Sequence, residues 1–162
     1  MPATYEPIAT TTLGSAANTI TFSSIPSTYT DLRVVWYGIQ STSQFRFRFN
    51  NDTATNYSYT VLQGDGTSAT SSRWSNQAFT YASTSAAATY GAFISLDVMS
   101  YAGSTNKTTL VTCSRDLNGS GSVDRGVGLW RSTSAINRID LYLGSGNMDA
   151  GATATLYGIL KA

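Results

Sequence analysis

Apolar side chains fall on every second residue along almost the whole chain, and a period of two is the repeat of a β-strand with one buried face. The plainest case is FRFRF (45–49): Phe45, Phe47 and Phe49 point to one side, Arg46 and Arg48 to the other. Burying that phenylalanine stripe contributes roughly 5–9 kcal/mol before entropy, more than any exposed contact of two arginines. The same alternation sets Ile20 and Phe22 against Thr19 and Thr21, and lines up Tyr57, Tyr59 and Val61, then Ile94, Leu96 and Val98. It recurs in KTTLVTCS (107–114), RGVGLW (125–130), RIDLYL (138–143) and ATLYGIL (154–160). The run DLRVVWYGI (31–39) is apolar at both parities, the mark of a strand covered on both sides.

Turn-forming clusters separate these runs: SIPSTYTD, NNDTATN, QGDGTS, YAGSTN, LNGSGS and GSGNMDAG. Composition closes off the alternative to sheet. Glu6 is the only glutamate, and Lys107 and Lys161 are the only lysines, while 46 of the 162 residues are serine or threonine. The best solvent-facing helix formers are thus missing. The expected fold is all-β: a single-domain, jelly-roll-like β-sandwich of roughly eight to ten strands with little or no helix. Residues 15–162 form the sandwich, and 1–14 are either an N-terminal arm or an edge strand, with Pro2 and Pro7 disfavouring helix. The stretch 71–91, rich in Ser, Thr and Ala, reads as a long loop plus an edge strand.

The chemistry of an enzyme is largely excluded. With no histidine, Ser-His-Asp, Cys-His and histidine-ligated metal sites cannot form. The nine carboxylates are scattered, mostly in turns, with only Asp97 and Asp140 inside strand patterns. No catalytic residue and no cofactor is expected. The single cysteine, Cys113, alternates with Val111 and reads as a small buried apolar residue. The start MPATYEP lacks the pattern of a secretion signal, and no apolar run reaches the roughly 20 residues of a membrane span. A net charge of +1 gives no basic or acidic surface for nucleic acid or a bilayer. The expectation is a soluble, non-enzymatic protein.

Two turns carry oxygen ligands. In DLNGSGSVD (116–124), Asp116, Asn118 and Ser120 stand at positions 1, 3 and 5 of a calcium loop and Asp124 closes the run. Val127 holds the place of the bidentate glutamate, so this is either a hairpin tip or a weak calcium site. Asn50 and Asp52 in NNDTATN cap a turn, or ligate calcium or a sugar. Among the aromatics, Trp74, Trp130, Tyr81, Tyr90, Tyr101 and Tyr142 are expected to be partly exposed, offering contact area to glycans or proteins.

The stretches YEPIATTTLG (5–14), FSSIPSTYTDL (22–32), RFRFNNDTATNYSYTVLQGDG (46–66), VGLWRSTSAINRIDLYLGSGN (127–147) and ATLYGILKA (154–162) resemble small virion proteins of tailed bacteriophages, especially phages of cyanobacteria and aquatic bacteria. The resemblance implies a capsid cement (decoration) protein or a tail-fibre-like module that binds a receptor or glycan. Under the first reading the partner is the major capsid protein. The chain is made in the host cytoplasm, sits on the virion's capsid surface and stabilises the lattice by bridging neighbouring subunits. The lack of a coiled-coil or repeat segment favours cement over fibre. Three-fold capsid positions suit a homotrimer. Contact candidates are Tyr5 and Ile8, as apolar anchors of an arm, and Arg46 and Arg48 on the wet side of FRFRF.

Overall fold

The computed structural model describes residues 4–40, 43–83 and 90–160. Among them every regular element is a strand. In chain order these are β1 (Tyr5–Thr12), β2 (Thr19–Phe22), β3 (Asp31–Gly38), β4 (Phe45–Phe49), β5 (Tyr57–Gly64) and β6 (Ala69–Gln77). Then follow β7 (Thr80–Ser83), β8 (Ala92–Val98), β9 (Lys107–Asp116), β10 (Gly121–Trp130), β11 (Ile139–Leu143) and β12 (Thr153–Ile159). They form an eight-stranded sheet, β1-β12-β3-β8-β9-β10-β5-β6, facing a four-stranded one, β2-β11-β4-β7.

The pairings are nested: β1 with β12, β2 with β11, β3 with β8, β4 with β7, all antiparallel. A ribbon of eight strands paired first with last and rolled into two sheets is a jelly roll. The other two hairpins, β5–β6 and β9–β10, are insertions in that ribbon, and both extend the larger sheet beyond β8. The all-β sandwich therefore holds, with twelve strands where alternation alone reveals nine. The three strands without a clear alternating signature are β1, β6 and β7. Strand β6 is exposed at every position but its last, so its sequence has no dry face to betray it.

The core lies between the sheets. Phe45, Phe47 and Phe49 are fully buried, as the alternation requires, beside Trp36, Ile94, Leu96 and Leu141. Phe45 meets the Trp36 ring edge-on at 4.4 Å, and Phe49 lies 5.6 Å from Trp130. Cys113 is buried in the same cluster. Strand β3 departs from expectation: Leu32, Val34 and Trp36 face the core, but Tyr37 on the other side is 63% exposed. Its outer face is uncovered, so the doubly apolar run has another cause.

Two details join the sheets. After β4, Asn50 and Asn51 take left-handed conformations (φ 50° and 56°) that turn the chain sharply. This brings Asp52 to β10, where its Oδ2 accepts from Trp130 Nε1 at 2.7 Å and from Asn56 Nδ2 at 2.9 Å, while Oδ1 accepts from the Ala54 amide. At Gly128 a Cβ would collide with the hydroxyls of Thr80 and Thr109, so glycine lets β7 cross close over β10.

Candidate functional site

Each sheet has an outer face, and the contact candidates divide between them. On the four-stranded sheet Arg46 and Arg48 face outward, as alternation predicts, yet both are half-buried under partners of their own. The Arg46 guanidinium lies 4.2 Å from the Phe79 ring centre. Arg48 covers Tyr142 at 4.7 Å and donates to its hydroxyl at 2.9 Å. Register sets Arg48 beside Asp140, which is buried and accepts from Arg138 Nη2 at 2.8 Å and from the Thr21 hydroxyl at 2.7 Å. Most polar groups of this face are satisfied within it, the buried Arg46 Nε being without a hydrogen-bond partner.

Residues 5–12 form an edge strand, β1, paired to β12. Pro7 and a bulge between Pro7 and Ala9 roughen that edge, as edges that avoid further pairing commonly do. The two apolar anchors part company. Ile8 packs on the core, whereas Tyr5 is half-exposed with the Arg33 guanidinium 5.6 Å from its ring.

The calcium candidates form the β9–β10 hairpin tip. The Asn118 amide donates to Asp116 Oδ1 at 2.8 Å and the Leu117 amide to the Ser120 carbonyl at 2.8 Å. Asn118 and Gly119 have φ of 57° and 107°, the left-handed pair that Asn-Gly supplies in tight hairpins. Asp124 does not join them: it sits buried on the inner side of β10, opposite Cys113. Among the described residues no three His, Cys, Asp or Glu side chains gather to hold a metal. Of the aromatics expected at the surface, Trp74 and Tyr90 are exposed, Tyr142 is half-buried, and Trp130, Tyr81 and Tyr101 are core. Tyr101 is drawn inside because its hydroxyl donates to the Pro26 carbonyl.

The outer face of the eight-stranded sheet is different in kind. Of nine large apolar side chains exposed among the described residues, seven lie on it. Register places Tyr37 beside Phe93, Phe93 beside Ser114, and Ser114 beside Val123, giving one row across four strands. Leu110 and Val127 are cross-strand neighbours, and Leu62 lies opposite Arg125. The charge near the centre of this face is neutralised in place, Arg33 pairing with Asp97 across β3 and β8. A solvated sheet face is ordinarily polar. One this apolar marks an interaction surface.

Along β5 this face carries a trough. Two adjoining depressions of about 370 and 280 Å³ share Thr60 and Val127. The floor is Ser58, Thr60 and Leu62 of β5 with Val127 and Leu129 of β10. Three arginines rim it, each held by neutral acceptors. Arg73 Nε donates to Thr60 Oγ1 at 3.2 Å and Arg125 Nη1 to Thr112 Oγ1 at 3.0 Å. Arg131 Nη2 donates to the Thr55 carbonyl at 2.7 Å and to Asn76 Oδ1 at 3.2 Å. No carboxylate lines either depression. None of Tyr37, Leu62, Phe93, Leu110, Val123 or Val127 stands out in the sequence as a contact. The available signal was Leu110, apolar at the wet parity of β9. In RGVGLW alternation misleads, because the apolar parity, Val127 and Leu129, is the outer one and the buried parity holds Gly128 and Trp130.

No family model matches the chain, and no curated protein matches it. Among solved structures, the galectin LEC-6 of Caenorhabditis elegans is similar with a TM-score of 0.38 and 10% identity, over 94% of this chain and 96% of that one. A likeness at that level says nothing of what this chain binds.

Proposed function

We propose that the protein is a non-enzymatic cement (decoration) protein of a phage capsid, docking on capsid subunits through the outer face of its eight-stranded sheet. The observation that supports this is the gathering of seven exposed apolar side chains on that one face, while the opposite outer face is closed by its own hydrogen bonds and ion pair. The aromatic and aliphatic row, where Arg33 is paired with Asp97, has the composition of a protein interface core, and the arginines along its β5 side are a residue type enriched at interfaces. The virion comes from the sequence resemblance, and the face supplies a means of attachment. A sequence without histidine, in which no three His, Cys, Asp or Glu side chains gather among the described residues, is compatible with a role in adhesion. A homotrimer around a three-fold position remains part of the proposal.

The test is copy number and location. Particles purified from the phage that encodes the chain are analysed by quantitative mass spectrometry and by imaging with a specific antibody. Hundreds of copies on the capsid shell are expected. A handful at the tail would replace cement with a fibre module, and absence from the particle would end the virion reading.

A further inference from the structure

We infer that the trough along β5 takes an extended, acidic segment of the protein partner, whose carboxylates meet Arg125, Arg73 and Arg131 while the apolar side chain at its i+4 position, on the same side, rests on Leu129 and Val127. This builds on the docking reading and adds the chemistry of what is docked.

The spacing of the arginines carries the argument. Arg125 stands opposite Leu62, Arg73 opposite Thr60, and the Arg131 amide bonds to the Asn56 carbonyl. Measured along β5 the three cations stand at levels 62, 60 and 56, about 7 and 14 Å apart along the strand axis at about 3.4 Å per residue, with Arg125 flanking the trough from β10 and Arg73 from β6. An extended chain lying along the trough presents side chains to one side every ~7 Å, so long carboxylate side chains at i, i+2 and i+6 match those levels and reach to either flank.

The chemistry agrees. Among the described residues the ion pairs are Arg33–Asp97 and Arg138–Asp140, so the three trough arginines have no carboxylate of their own. Each guanidinium has five N–H donors in a planar fork that suits a carboxylate held by two parallel bonds. Lys107 is buried away from the trough, and arginine is the cation suited to that geometry. A phosphate or sulfate polymer would satisfy the same charges. Single-stranded nucleic acid, however, is held largely by stacking on free aromatic rings, and of the two aromatic residues that line this trough, Tyr59 and Trp74, Tyr59 is buried. The Trp74 ring turns to the other side of β6, 5.1 Å from Tyr59 and 6.3 Å from Tyr81. Aliphatic side chains between carboxylates fit; bases do not.

The experiment titrates the full, isotope-labelled chain with a synthetic octapeptide carrying glutamate at positions 1, 3 and 7 and valine between. Amide shifts are followed by NMR and affinity by calorimetry. Comparison ligands are the same peptide with glutamine for glutamate, an octathymidylate and a sulfated oligosaccharide. The expected result is shifts confined to β5, β6 and β10, with affinity at least about tenfold above the glutamine peptide and falling as salt screens the charges. Arg73→Gln and Arg131→Gln should each weaken binding at least about threefold, with unchanged melting temperatures. Equal binding of the two peptides, shifts centred on Tyr37 and Phe93, or tighter binding of the nucleotide or sulfated sugar would overturn the inference. Binding to particles separates it from the docking reading. If Phe93→Ser abolishes attachment while Arg73→Gln with Arg131→Gln leaves it intact, docking stands and the acidic segment falls. If the glutamate peptide binds as described but the protein attaches to no capsid, the trough stands and the cement role falls.

Discussion

The two outer faces of this sandwich are built from the same period-two strands and end in opposite states. On the four-stranded sheet, charged and aromatic side chains find each other: Arg48 with Tyr142, Arg46 with Phe79, Arg138 with Asp140 and Thr21. On the eight-stranded sheet, Tyr37, Phe93, Val123 and Leu110 face solvent with nothing over them. A charge paired at a strand's wet side is already satisfied within the chain. An exposed apolar row is not, since its burial waits for another molecule.

The comparison depends first on the stripe that keeps the two faces apart. Phe47→Ala should lower stability by about 3–5 kcal/mol by opening a cavity between the sheets, read as a shift of the urea midpoint. A variant as stable as the parent would mean that the stripe is not core and that neither face is correctly assigned. Next, the four-stranded face should be fragile to losses of charge. Asp140→Ala strands Arg138 and the Thr21 hydroxyl and should cost about 2–3 kcal/mol, while attachment of the folded fraction stays unchanged. Lost attachment at unchanged stability would show that this face is the interface.

The rim between the faces titrates. Burial raises the Asp52 carboxyl, but bonds from Asn56, Trp130 and the Ala54 amide outweigh it and hold the carboxyl below its ordinary range. A depressed value stabilises the fold above the unfolded pKa, near 4, and that stabilisation is lost as pH falls through the lower folded value. Asp52→Asn should therefore melt below the parent at neutral pH, by about 1–2 kcal/mol. The gap should close in thermal melts taken below about pH 4. A gap that stays constant into acid would break the assignment. The smallest effect on stability belongs to the eight-stranded face: Leu110→Ser and Phe93→Ser should each stay within about 0.5 kcal/mol by the same melts, yet reduce co-sedimentation with particles. Retained co-sedimentation would remove the face from the proposal.

The strands that touch the core could be read from the sequence because burial imposes a period, and FRFRF and TLVTC each follow it. Strand β6 could not, since a strand wet on both sides is free of that constraint. The nested pairing was open to inference only as a class, because Tyr5 meets Ile159 by geometry that no local pattern encodes. DLRVVWYGI is the instructive failure. Its second apolar face reads as a sign of cover within the chain, and Tyr37 shows that the cover is missing. The arginines of FRFRF face outward as the alternation requires, and what covers them lies far along the chain. Tyr142 lies 94 residues beyond Arg48 and Phe79 lies 33 beyond Arg46, so both are invisible to any short-range reading.

The first-with-last pairing also governs how the molecule bears force. Where β1 begins, β12 ends, and the two lie side by side at one edge of the larger sheet. Tension applied there would part their hydrogen bonds one after another, as a zip opens, so little force is needed. The strands of the broad face are joined edge to edge on both sides from β12 through β5. Load entering through that face is shared across many bonds loaded together. If the protein sits on a shell, as proposed, a grip through its broad face would load it in this stronger direction.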